Sequence, residues 1–206
     1  MKFKVTRTDI LNYLINKYKY KNYLEIGVRD PLNGNFNNIK IKNKLGVDPN
    51  PLIKQNNIFV GTSDYFFFKN YTTFDLIFID GLHLENQVDK DIANSLTCLN
   101  EGGIIVLHDC NPPTKMHQRE NYCVDGKYPS WNGTVWKSFA KLRMSRPDLT
   151  MYVVDTDWGL GIIMKGSQEL FPSNGINIHE LKYEILDNNR NTLLNLVSVD
   201  KFKKIF

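Results

Sequence analysis

Two short apolar runs, FDLIFID at 74–80 and GIIVLHD at 103–109, constrain this chain more than any other feature of its sequence. Each is too short for a helix and dense in β-branched or aromatic residues, as a strand buried on both faces requires. Between them Leu84, Val88, Ile92, Leu96 and Leu99 recur at spacings of four and three, which predicts a helix with one apolar face. Glu85, Asp89, Lys90 and Asp91 fall mostly elsewhere. Strand, helix and strand with short joins make a parallel βαβ unit, whose crossover is right-handed.

The same rhythm extends in both directions. Residues 8–20 read as an amphipathic helix opened by Thr8 or Asp9, and NYLEIG at 22–27, KLGVD at 44–48 and NIFVG at 57–61 read as strands, the last followed by a short helix over SDYFFFKN. Downstream, 109–131 is polar, contains proline and is longer than most loops, a length typical of lids and binding segments. A helix over about 133–145 stops before Pro147, and TMYVVDTD with GLGIIMKG forms a hairpin. These elements describe an α/β sheet, parallel at first and closed by an antiparallel pair. Residues 1–206 are expected to form a single domain with a helical appendage at about 179–206, whose apolar positions must cover the core or a second subunit.

Composition narrows the function. Lys and Arg total 26 against 22 Asp and Glu, a net charge of +4, and the basic residues are scattered. Nucleic-acid binding, which needs a basic stripe, is disfavoured. Cys98, Cys110 and Cys123 show no CxxC spacing, so neither a disulfide framework nor a thiolate zinc site is expected, and a reduced, cytoplasmic protein is the simplest reading. Charges interrupt the opening MKFKVTRTDILNYL, and no 18-residue apolar segment is present, which disfavours secretion and membrane spanning.

In open α/β sheets ligands bind outside the carboxyl ends of the strands. Those ends are polar here: Glu25-Ile26-Gly27, Asp48-Pro49, Asp80-Gly81-Leu82-His83 and His108-Asp109. Asp48 closes the strand after Gly27, where an acid accepts hydrogen bonds from both hydroxyls of a ribose. The bland alternative is that Asp48 caps a turn before Pro49. The first turn, G-V-R-D-P-L-N-G, lacks the G-x-G-x-x-G that lets a backbone approach a pyrophosphate, which favours a nucleoside ligand without a diphosphate over NAD or FAD. Glu25 lies inside an apolar strand and needs a ligand or backbone donors if buried.

YLEIGVRDP at 23–31, GVDPNP at 46–51, FDLIFIDGLHLENQVDKDI at 74–92 and GGIIVLHDCNP at 102–112, in that order, resemble class I S-adenosylmethionine-dependent methyltransferases, and most of all the small O-methyltransferases with an I-D-G-x-H segment. The resemblance runs from about 22 to 164. It implies a Rossmann-like seven-stranded sheet of order 3-2-1-4-5-7-6 with the seventh strand antiparallel and helices on both faces. It further implies that Glu25 and Gly27 face the methionine part of S-adenosylmethionine, that Asp48 holds the ribose, that Gly61, Ser63 and Asp64 lie at the adenine, and that Asp80 closes the fourth strand near the methionine or a metal. Arg29 and Asp30 stand where many relatives have glycines, with Arg29 free to reach the methionine carboxylate.

His83 shares a turn with Asp80, and a neutral imidazole suits proton removal from a hydroxyl. A half-buried structural histidine is the alternative. Asp80 and Asp109 end neighbouring strands in this fold, and two adjacent carboxylates call for a proton or a cation between them. Mg²⁺ or Mn²⁺ would fit and would lower the pKa of a hydroxyl. Cys110 departs from the Asn ligand of catechol-type relatives, and without a metal His108 becomes a rival base. His117, Arg119, Tyr122, Tyr128 and Trp131 suit stacking on a sugar or aromatic substrate. The expected function is methyl transfer to a hydroxyl of a polar small molecule or glycan. An N-methyltransferase and a non-catalytic cofactor-binding scaffold or partner subunit are the alternatives. The expected partner is the substrate, with a homo-oligomer open and no membrane or nucleic acid.

Overall fold

The computed structural model describes residues 4–173 and 175–206. Its elements in chain order are α1 (Arg7–Tyr18), β1 (Asn22–Ile26), β2 (Asn43–Asp48), β3 (Ile58–Val60), α2 (Ser63–Lys69), β4 (Phe74–Ile79), α3 (Glu85–Thr97) and β5 (Leu99–Leu107). They continue with α4 (Val135–Ser145), β6 (Leu149–Val154), β7 (Leu160–Lys165), α5 (Tyr183–Leu193), β8 (Leu196–Val197) and α6 (Val199–Ile205). The sheet order is β3-β2-β1-β4-β5-β7-β6-β8, with β1 to β5 parallel and β7 antiparallel to both its neighbours. The expected order therefore stands, extended by an eighth strand.

That strand corrects the reading of 179–206 as purely helical, since Leu196–Val197 adds parallel to β6 between α5 and α6. A two-residue strand carries no periodicity that could announce it. The apolar positions of this segment cover the sheet: Leu186 and Leu193 join one core and Phe202 the other. Leu99 is a second correction. Its spacing fits the apolar face of the helix, but it begins β5, because only Cys98 separates α3 from the strand.

Helices lie on both faces because the inner strands alternate between two cores. Leu24, Ile26, Ile77, Ile79, Ile105 and Leu107 pack against Val88 and Ile92 of α3 and Trp136 and Phe139 of α4. Tyr23, Leu76, Phe78, Ile104 and Val106 pack against Ile10, Leu11 and Leu14 of α1. Burial of this kind contributes about 1.5–3 kcal/mol per large side chain, enough to hold neighbouring strand ends in fixed relation. In α2, Phe66 is buried and Phe68 is exposed, so the three consecutive phenylalanines do separate between core and surface. Among the described residues no helix is long and apolar enough to cross a membrane.

Candidate active site

At the carboxyl end of β1, Gly27 has φ +88°, and a Cβ placed there would lie 2.1 Å from the carbonyl oxygen of Asp80. The glycine thus lets the ends of β1 and β4 touch. Two residues on, Arg29 is itself left-handed (φ 48°), which turns its amide to donate to Asp48 Oδ2 at 2.7 Å. The Asn50 amide donates to Asp48 Oδ1 at 2.7 Å. Asp48 is therefore buried and oriented by two backbone donors, and each oxygen keeps a second lone pair. It is the Arg29 amide, rather than its guanidinium, that makes this contact. Nearby, the Gly61 amide donates to the Asp48 carbonyl, while Ser63 and Asp64 accept from Gln87 of α3 at 3.2 and 2.9 Å.

Glu25 is 1% exposed and points toward α1. Its Oε2 accepts from the Tyr23 hydroxyl at 2.5 Å and from Asn35 Nδ2 at 2.9 Å, and Asn35 Oδ1 in turn accepts from the Thr8 hydroxyl. The donors are side chains, where sequence reasoning asked for backbone or ligand. Burial, only partly offset by these donors, pushes the Glu25 carboxyl up to about 8. Because the folded value lies above the ordinary 4.5, the neutral acid favours the fold below pH 4.5, and that contribution is lost as pH rises toward 8. Across this window the loss amounts to about 4–5 kcal/mol. Glu25→Gln, which cannot ionise, should flatten the decline, so denaturant midpoints at pH 5 and 8.5 should differ less in the variant than in the native protein. Equal differences would mean that Glu25 is ionised throughout.

The acids at the ends of β4 and β5 form the centre of the site. Asp80 Oδ1 lies 3.1 Å from His83 Nε2 and 2.9 Å from His108 Nδ1, while Asp109 Oδ2 lies 3.1 Å from His83 Nδ1 and 3.1 Å from His108 Nδ1. From the start of α1, Arg7 Nη1 donates to Asp80 Oδ2 at 2.6 Å, and from the turn between β6 and β7 Asp157 accepts from Arg7 Nε at 3.0 Å. Burial raises the Asp80 carboxyl, but His108, His83 and Arg7 outweigh it and hold the group well below the usual carboxylate range. For His108 burial acts downward, yet Asp109 and Asp80 raise it well above the ordinary histidine value. Asp157 is lowered in the same way, with His108 and Arg7 overcoming its burial.

His83 Nδ1 is buried and has no hydrogen-bond partner, although Asp109 Oδ2 is 3.1 Å away. Both ring nitrogens thus face a carboxylate, and in the tautomer whose Nε2–H donates to Asp80 the Nδ1 lone pair meets Asp109 Oδ2 and is repelled unless a proton or cation stands between them. Asp80, His83 and Asp109 offer ligand atoms within 4.8 Å of one another, a spacing that one cation can bridge. Cys110 takes no part, since its thiol donates to the Leu107 carbonyl. An amide does reach the acid pair from Asn132, whose Nδ2 donates to Asp109 Oδ1 at 2.8 Å while its own Oδ1 is buried and unpartnered.

The 109–131 segment closes over this cluster. Trp131 stacks on the His83 ring with centroids 5.0 Å apart and planes 20° apart, Tyr122 lies against Trp131, and Tyr128 against Tyr122. Arg119 donates to the carbonyls of Met116, Ser130, Tyr122 and Pro129, and its own carbonyl accepts from Trp131 Nε1. His117 lies on Trp158, 5.6 Å between rings. The start of α4 is docked on His83, whose carbonyl accepts from the Thr134 amide at 2.9 Å.

Residues 42–110, which span β2 to β5 and three of the polar strand ends, match the family model of a methyltransferase domain. Solved structures extend the likeness to more than three quarters of the chain. A Staphylococcus aureus protein assigned as a caffeoyl-CoA O-methyltransferase superposes with a TM-score of 0.58 at 20% identity, over 77% of this chain and 82% of that one. The fold is the Rossmann-like α/β fold that these methyltransferases share. The Podospora anserina methyltransferase PaMTH1, solved with S-adenosylhomocysteine, gives 0.58 at 16% identity over 78% of each chain. The Streptomyces achromogenes O-methyltransferase TomG, involved in tomaymycin synthesis and solved with S-adenosylmethionine, gives 0.54 at 12% identity over 78% and 80%. No curated protein sequence matches the chain. The methyltransferase-domain match takes in Asp48, Asp80, His83 and Asp109 but neither Arg7, Asn132 nor Asp157, three residues that sequence reasoning also missed. The only sequence signals for them were a basic residue opening a predicted helix and two polar residues in predicted loops.

Proposed function

We propose that this protein is an S-adenosylmethionine-dependent O-methyltransferase that methylates a hydroxyl of a polar small molecule or glycan. The observation that carries the reading is the place of the His83 ring between the two acids: Nε2 lies 3.1 Å from Asp80 Oδ1, and Nδ1, buried and without a hydrogen-bond partner, lies 3.1 Å from Asp109 Oδ2. In this reading Glu25, Gly27, Arg29 and Asp80 shape the methionine end of the cofactor site, Asp48 takes the ribose, and Gly61, Ser63 and Asp64 border the adenine. S-adenosylmethionine supplies an electrophilic methyl group when bound. His83 Nδ1 would accept the proton of the substrate hydroxyl as its oxygen bonds to that methyl and the methyl–sulfur bond breaks, with S-adenosylhomocysteine as the leaving group, and Asp80, fixed by Arg7, would stabilise the imidazolium that results. Asp80 and Asp109 would hold a divalent cation, Mg²⁺ or Mn²⁺, which supplies a lowered hydroxyl pKa. Trp131 keeps the His83 ring in place and water away from its covered face. His108, buried behind Asp80, supports the charge of the pair and is the alternative base.

Binding of S-adenosylhomocysteine tests the cofactor assignment. A ligand that binds only the folded chain stabilises it by mass action, about 2.7 kcal/mol at a hundredfold excess over Kd, which is a rise of about 5–10 °C in Tm for a chain of this size. Asp48→Ala should remove most of the rise. Stabilisation by NAD and none by S-adenosylhomocysteine would refute the reading.

A further inference from the structure

Arg7 enters the acidic cluster from α1, outside the region that matches the methyltransferase-domain model. Its backbone amide, Nε and Nη2 all donate to Asp157, at 2.7, 3.0 and 3.2 Å, so the guanidinium is fixed before it meets the active-site acids. Nη1 then donates to Asp80 Oδ2 at 2.6 Å and stands 3.2 Å from His108 Nδ1. A guanidinium keeps its proton at any pH the protein survives, so this positive charge is permanent. Asp80 Oδ1 instead lies against the two imidazoles, 3.1 Å from His83 Nε2 and 2.9 Å from His108 Nδ1.

We propose that Arg7 sets how strongly this site binds a divalent cation: it holds Asp80 Oδ2 in a charged hydrogen bond and opposes the incoming charge at close range. The proposal rests on the reading of Asp80 and Asp109 as the holders of the cation. Repulsion between a guanidinium and a dication on the same carboxylate is poorly screened at a partly buried site, where neither bulk water nor salt intervenes. The unmodified protein therefore holds the ion weakly and exchanges it readily. Removing the guanidinium should strengthen binding, whereas the loss of a merely structural clamp would weaken it.

The test is a titration with Mn²⁺ alone, read from the electron paramagnetic resonance signal of the free ion, at a temperature where each variant keeps its native circular dichroism. Arg7→Gln should bind Mn²⁺ at least tenfold more tightly than the native protein. Arg7→Met, which keeps the apolar stem, should move in the same direction and serves if the glutamine variant does not fold. Arg7→Lys, which restores the charge, should return affinity toward the native value, and Asp109→Asn should abolish binding. If both neutral variants bind Mn²⁺ no better than the native protein while Asp109→Asn still weakens it, the role of Arg7 is refuted and the cation site stands. If neither the native protein nor the neutral variants bind Mn²⁺, the cation reading fails and takes this proposal with it.

Discussion

His83→Ala should lower methyl transfer to an accepted hydroxyl by about 10²- to 10⁴-fold, the usual contribution of a general base, while leaving S-adenosylhomocysteine binding close to native. The split arises from where the ring sits. Its Nε2 is spent on Asp80 and its Nδ1 faces Asp109, so the side chain borders the acid pair, whereas Asp48 lies at the end of β2 with its own backbone donors. Raising the pH should partly restore the variant, because hydroxide can take over proton removal. A stability loss is expected too, since Trp131 would lose its stacking partner, but a melting curve separates that from a loss of turnover. Near-native turnover at pH 7 would dismiss His83 as the base and direct the same experiment to His108.

Gly27→Ala should be strongly destabilising, at about 3–5 kcal/mol, or roughly 10 °C in Tm. Two costs combine there. The left-handed φ of +88° alone is worth about 1–2 kcal/mol to a residue with a Cβ, and the added carbon would lie 2.1 Å from a backbone carbonyl that cannot turn aside. Gly102 provides the comparison, because it has a similar φ of +70° but open space around the added carbon. Gly102→Ala should therefore show the conformational cost by itself, about 1–2 kcal/mol. Since the collision is with Asp80, folded Gly27→Ala protein should also lose most of its response to S-adenosylhomocysteine. Equal effects of the two substitutions would mean that the ends of β1 and β4 can separate freely.

The strands were legible because the inner ones are buried on both faces, which leaves unbroken apolar runs bounded by polar residues. The same property hid the start of β5: Leu99 suits the apolar face of a helix and the first position of a strand equally, and only the hydrogen bonds of the sheet decide between them. In the site, Asp80, His83 and Asp109 were readable together because the topology of a βαβ unit brings consecutive strand ends side by side. Arg7 and Asp157 were not, since they lie 150 residues apart and meet only after α1 and the β6–β7 turn converge on one edge of the sheet. Glu25 could be read as buried but not as satisfied, because its partners Tyr23 and Asn35 are ordinary residues until the chain brings them together. Arg119 shows the same limit: composition shows that a guanidinium is present in a loop, not whether it faces a ligand or its own backbone.

The Arg119 clamp bears on how a fold of this kind changes what it binds. Four carbonyl groups, at Met116, Tyr122, Pro129 and Ser130, are gathered by one guanidinium, and carbonyls are common to every residue type. The cover over the cleft is thus held in shape without reference to the side chains it displays. Met116, Tyr122 and Tyr128 are all largely exposed and could be exchanged with little loss of folding energy. A descendant of this chain could acquire a new ligand by redecorating that cover, while the His83 ring beneath it and the acids around that ring stay as they are.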